Sequence, residues 1–152
     1  MVLTERRYPM TQLLYTDHYL RYNVTYEILG KRAFSSNRNY GDLSGHTVII
    51  ITDDMAETTF IRNMADLILT RGCKNIAFCG EASEEWQDIF DRQDRDINGF
   101  NDITGYEDFA VTRCFEDIED LPAEIENCWN EVLILCGSRH IMQECREIVE
   151  EA

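Results

Sequence analysis

Lysine is nearly missing from this sequence of 152 residues; Lys31 and Lys74 are the only two. Fourteen lysines and arginines face twenty-nine aspartates and glutamates, for a formal net charge of −15. A field of that sign repels nucleic acid and anionic membrane surfaces, and it attracts cations and basic proteins. Two prolines and eight scattered glycines leave no Pro-rich or Gly-rich linker. The six cysteines (Cys73, Cys79, Cys114, Cys128, Cys136 and Cys145) form no CxxC pair, and His18, His46 and His140 sit at no ligand spacing from them. That excludes the common zinc sites. No glycine-rich turn follows HTVIIIT, and Asp53 and Asp54 there would repel a phosphate, which argues against dinucleotide and Walker-type sites. No apolar run approaches the ~20 residues of a membrane-spanning helix. The opening MVLTERRYPM places two arginines and a proline where the apolar part of a signal peptide would begin. A reducing cytoplasm with free thiols is therefore the expected setting.

What is present is a regular repeat. HTVIIIT, from His46, is a continuous β-branched run of the kind that forms a strand buried on both faces. The helical pattern of DDMAETTFIRNMADLILTRG follows, with Phe60, Met64 and Leu67 or Ile68 on one face and Gly72 as its stop. NIAFCG and EASEEWQDIF form the next strand and helix. DFAVTRCF is paired with LPAEIENCWN, which has Pro122 in its first turn, and VLILCG with SRHIMQECREIVEE. Four strand–helix units predict an α/β fold: a small doubly wound, Rossmann-like three-layer sandwich with about four parallel strands. The expected organisation is one domain over 1–152, with residues 1–45 as a helix and loop packed on four β-α units in 46–152. In that first segment Tyr15, Tyr19, Tyr22 and Tyr26 recur at helical spacing, predicting an N-terminal helix that ends near Gly30. Its tyrosine stripe would pack on the domain or on a second copy in a homodimer.

Ligands of open parallel sheets bind beyond the carboxyl ends of the strands. At the first such end lies Thr52-Asp53-Asp54. The Asp53-Asp54 pair resembles the acidic pair of response-regulator receiver domains over the first strand–helix unit. The resemblance stops there, because the third strand ends in RCFED with no isolated aspartate and no lysine follows Lys74. Asp54 and Glu57 also read as a D-x-x-E capping box. Strands two and four end in Cys79-Gly80 and Cys136-Gly137, and Gly137-Ser138-Arg139-His140 gathers a hydroxyl, a cation and an imidazole at one helix start. This would be the site of a small Rossmann-like enzyme or ligand sensor, with a thiol nucleophile; a plain N-cap at Ser138 is the simpler reading.

The charge is concentrated. Residues 1–45 carry six basic and four acidic residues, whereas 81–127 carry three arginines and sixteen acids. Within that stretch, DRQDRDINGFNDITGYED holds the first half of a calcium loop: Asp94, Asp96, Asn98 and Asp102 at ligand positions, with Gly99 at the sharp turn. Gly105 stands where the bidentate glutamate belongs, and Glu107 comes two residues late, so weak calcium binding is the most this pattern supports. Otherwise no cofactor is expected. A long ordered connection mixing carboxylates with aromatics suits a contact surface better. The expected partner-binding residues are Glu84, Glu85, Trp86, Asp88, Asp91, Asp94, Asp96, Phe100, Asp102, Tyr106, Glu107, Asp117 and Asp120, forming one anionic face. Small acidic cytoplasmic proteins with such a face resemble, in charge and size, the immunity proteins of toxin–immunity pairs. The resemblance implies a non-catalytic protein that masks the basic site of a nuclease toxin. A phage anti-defence protein would use the same surface.

Overall fold

The structure, a computed structural model, describes residues 14–29, 41–52, 56–98, 109–129 and 131–152. Six strands form one sheet: β1 Leu14–Tyr19, β2 Tyr22–Ile28, β3 His46–Ile51, β4 Asn75–Cys79, β5 Val111–Phe115 and β6 Glu131–Cys136. Four helices accompany them among the described residues: α1 Thr58–Thr70, α2 Ser83–Asn98, the short α3 Leu121–Ile125 behind a 3-10 turn, and α4 Arg139–Glu150. The strand order is β1-β2-β6-β3-β4-β5, with β1 antiparallel to β2 and every other pair parallel.

The uninterrupted β-branched runs behave as expected. Val48 and Ile50 face the core under α1 and α2, while Ile49 and Ile51 face the core under α3 and α4. Strands β4 and β6 split the same way, with Phe78 and Leu133 on the first side and Cys79 and Ile134 on the second. Helices therefore cover both faces of the sheet. Helix α1 ends where Gly72, at φ +90°, donates to the Leu69 carbonyl while Cys73 donates to that of Ile68. This left-handed cap accepts glycine without strain. At the start of α1, Glu57 is the N-cap and makes no side-chain cap hydrogen bond; its expected capping partner Asp54 lies outside the described residues.

The sheet has six strands instead of four, and its N-terminal element is a hairpin instead of a helix. Tyr15 pairs with Tyr26 and Tyr19 with Tyr22 across β1 and β2. The spacing of 4, 3 and 4 is symmetric about the two-residue turn Leu20-Arg21, so it places all four rings on one face of a hairpin as readily as on one face of a helix. The tyrosines pack on the α3 and α4 side. Leu20 carries the turn at φ 55°, where hairpins ordinarily place glycine or asparagine. Lacking those residues, the turn has no local sequence signal.

Candidate functional site

At the carboxyl edge the chain diverges between β3 and β6: α1 leaves β3 to one face, and α4 leaves β6 to the other. The gap between the two strand ends is closed by backbone. Gly137 donates to the Ile51 carbonyl at 2.8 Å, and a Cβ at Gly137 would stand 2.9 Å from the Thr52 hydroxyl. Glycine is required there by close approach. Ser138 accepts from the Ile141 amide at 3.2 Å and is the N-cap of α4. His140 is exposed and lies 3.7 Å from Glu144 on its own helix. Cys79 and Cys136 are both buried. Contact with the Cys145 thiol, then burial, pushes the Cys136 thiol well above its ordinary range. That is opposite to the activation a nucleophile needs. Asp53 and Asp54 lie outside the described residues.

The acidic residues divide into two groups. β4 and β5 are parallel neighbours with Cys79 beside Phe115, so the chain beyond each strand emerges at the same edge. On one side stand Glu81, Glu84 and Glu85, and on the other Glu116, Asp117, Glu119 and Asp120, all exposed. Glu84 and Glu85 occupy the first turn of α2, where the helix dipole favours them. Asp117 accepts from the Glu119 amide at 3.0 Å and caps the 3-10 turn. Asp88 follows on α2, paired with Arg92 at 2.8 Å on an exposed surface, a contact of little energetic weight. Glu81, Glu116 and Glu119 were not singled out from the sequence; the parallel register of β4 and β5 brings them in.

The second group does not join the first. Helix α2 runs through Asn98, eight residues beyond the expected end at Phe90, because no glycine or proline interrupts it before Gly99. Its 16 residues span about 24 Å, carrying Asp94 and Asp96 towards the amino edge of the sheet. Of the calcium pattern, Asp94, Asp96 and Asn98 fall within the described residues, and Gly99 and Asp102 do not. Asp94, Asp96 and Asn98 are helical, and residues two apart on a helix point to different sides. Asp94 is 3% exposed and Asp96 is exposed. The Asp94 carboxylate accepts the Asn98 amide at 2.6 Å on one oxygen and the Ala110 backbone amide at 2.8 Å on the other. It ties the two ends of the connection together from a buried position. Among the described residues, no group of three His, Cys, Asp or Glu side chains is arranged to hold a metal ion.

Asp91 is half-buried and accepts from the Thr112 hydroxyl at 2.8 Å. Burial pushes its carboxyl up, and the neighbouring carboxylates of Asp94 and Asp88 add to that. Trp86 is no surface anchor, being 1% exposed and packed between α1 and the sheet. Its ring meets Phe60 edge-on at 6.4 Å. The helical period that buries Phe90 buries Trp86 one turn earlier. Phe100, Asp102, Tyr106 and Glu107 lie outside the described residues.

Two hollows flank Arg146 between β1 and α4, far from these acids. One, of about 330 Å³, is lined by Tyr15, Arg139, Gln143 and Arg146. The other, of about 370 Å³, lies under Tyr19, Leu20 and Val149. Among the described residues, no helix is long and apolar enough to cross a membrane. No protein-family model matches the chain, and no curated protein or solved structure is significantly similar to it.

Proposed function

We propose that this chain is a non-catalytic acidic binding protein that neutralises a basic, nuclease-type toxin by masking its active or substrate-binding site, as an immunity protein does. One observation carries the reading: the adjacent parallel strands β4 and β5 present seven exposed carboxylates at one edge of the sheet. Nuclease sites are basic because they hold phosphates, so an anionic edge of this kind attracts and orients them. Like charges held together oppose folding, and only part of this group is used by helix starts. A Rossmann-like, doubly wound single domain working in the cytoplasm is the architecture and setting that fit this role. The buried Cys136 and the filled gap between β3 and β6 favour binding over catalysis at the carboxyl edge.

The test is co-expression with basic nuclease-type toxin domains, reading growth rescue, followed by titration of the purified pair at two salt concentrations. Rescue and salt-sensitive binding are expected. The variant combining Glu84→Gln, Glu85→Gln, Asp117→Asn and Asp120→Asn keeps the fold and the asparagine-compatible cap, and it binds at least about tenfold more weakly. Full rescue by that variant would remove the surface assignment. Failure to bind or protect against any such domain would remove the function.

A further inference from the structure

We propose that the opposite, amino edge of the sheet is a second docking surface, built for a polypeptide segment that combines lysine or arginine with large apolar side chains. This goes beyond the proposed function and needs no toxin. The large apolar side chains exposed among the described residues are Leu20 at 70%, Val111 at 64% and Trp129 at 46%. All three lie at this edge. Leu20 is in the turn before β2, Val111 opens β5, and Trp129 precedes β6. At about 4.8 Å per strand the row runs roughly 20 Å, the scale of a protein contact.

The row is held in place from beneath. The Trp129 amide donates to the Thr47 hydroxyl at 3.2 Å, and the Asn75 side chain donates to the same oxygen at 2.9 Å. Thr47 is fully buried. Tyr19 and Tyr22 hold the hairpin to the chain before Trp129 through the Glu126 carboxylate at 3.0 Å and its carbonyl at 2.8 Å. The anchors therefore lose little freedom when a partner covers them. Leu20 adds a second argument. It occupies a left-handed backbone position at φ 55° while most of its side chain meets solvent. Neither its backbone nor its burial stabilises the fold there, so contact with another molecule gives that side chain its use.

Charge selects the occupant. Beside Leu20 the hollow of about 370 Å³ opens under Tyr19 and Val149; its walls carry Glu150 and His18, together with Arg146 and Asp17, whose charges are paired with each other. Exposed Glu126 and Glu151 stand along the same edge. A second copy of a chain carrying −15 is repelled, whereas a basic segment places its cations on these carboxylates and its apolar groups on Trp129 and in the hollow.

The experiment is a display selection of random short peptides against the immobilised full chain, with affinities of the enriched peptides measured by titration. Enriched sequences are expected to join Lys or Arg with Leu, Phe or Trp. Trp129→Ala or Leu20→Ser alone should weaken them about tenfold, and Glu84→Gln with Glu85→Gln should leave them unchanged. Each variant's thermal unfolding is recorded, and exposed sites of this kind alter it little. Enriched peptides that bind the edge variants as tightly as the parent overturn the proposal, as does a selection that yields none. Self-association abolished by Trp129→Ala would overturn it in favour of a second copy. None of these results touches toxin protection, which depends on the other edge.

Discussion

Arg146 of the last helix lies over the ring of Tyr15 in the first described strand, its guanidinium carbon 3.8 Å from the ring centroid. The same side chain reaches the Asp17 carboxylate through two nitrogens, at 2.9 and 3.3 Å. One planar cation thus clamps the hairpin to α4. Both charged partners are about a third exposed, which screens the pair, so the stacking and the fork geometry count for as much as the charge. Arg146→Ala is expected to lower stability by about 1 kcal/mol, and Arg146→Lys to recover less than half of it, since an ammonium offers neither fork nor plane. Urea unfolding midpoints of the three proteins measure this.

Asp94→Ala removes the hydrogen bond that joins α2 to the Ala110 amide and the one to Asn98 within the helix, and leaves both amides without that partner. The expected cost is about 1–3 kcal/mol, with faster hydrogen exchange at the Ala110 amide. Asp94→Asn keeps one acceptor and should lose less. Millimolar calcium should shift the melting temperature of the parent and of Asp96→Asn alike, because no loop joins these two side chains around an ion.

Leu20→Gly relieves the left-handed backbone at the hairpin tip. A rise in stability of about 1 kcal/mol is expected, together with weaker peptide binding at the amino edge. Thermal unfolding and titration of one variant therefore move in opposite directions.

Asp91 gives a pH dependence of known sign. Its folded carboxyl is raised, chiefly by burial, so the folded state holds the proton more tightly than the unfolded chain does. The ionised group therefore opposes folding at neutral pH, and the opposition fades as pH falls through the raised value and is gone below the unfolded value near ~3.9. Asp91→Asn should raise the unfolding free energy at pH 7, read from urea unfolding, by less than about 1 kcal/mol after screening, and change nothing near pH 3. Added salt should narrow the difference at pH 7, since part of it is repulsion from Asp94 and Asp88.

Cys114 is the one exposed thiol of the six. Burial of its neighbourhood, then the carboxylates of Glu84 and Asp91, push it above its ordinary range, against a lowering contact with Ser83. Native labelling with iodoacetamide is expected to modify one cysteine, slowly near pH 7 and faster above pH 9. A second fast thiol at Cys79 or Cys136 would reopen the catalytic reading.

The central strands and the helices between them were legible because their signal is local: HTVIIIT and VLILCG are continuous apolar runs, and Gly72 and Ser138 mark helix ends by their own chemistry. The hairpin was not legible, because tyrosines at 15, 19, 22 and 26 satisfy two periods at once and Leu20 gives no turn signal. Residues after β4 and β5 do share an edge, but the length of α2 takes Asp94 and Asp96 to the other one, and nothing in a run of acids marks where a helix ends. Trp86 suits an anchor by residue type, but its spacing of four from Phe90 puts it on the buried side of α2.

Strand β6 lies between β2 and β3, with Val24 and Val48 on either side of Leu133 and its neighbours, yet it is synthesised after both. At ordinary translation rates of about 5–20 residues per second, the hairpin waits roughly 5–20 s for the strand that joins it to the rest. During that interval the facing edges of β2 and β3 are unpaired templates for any other extended chain. Folding of this protein is therefore timed by its carboxyl-terminal third, and a ribosome stalled before Glu131 would carry two sheet fragments with no means of meeting.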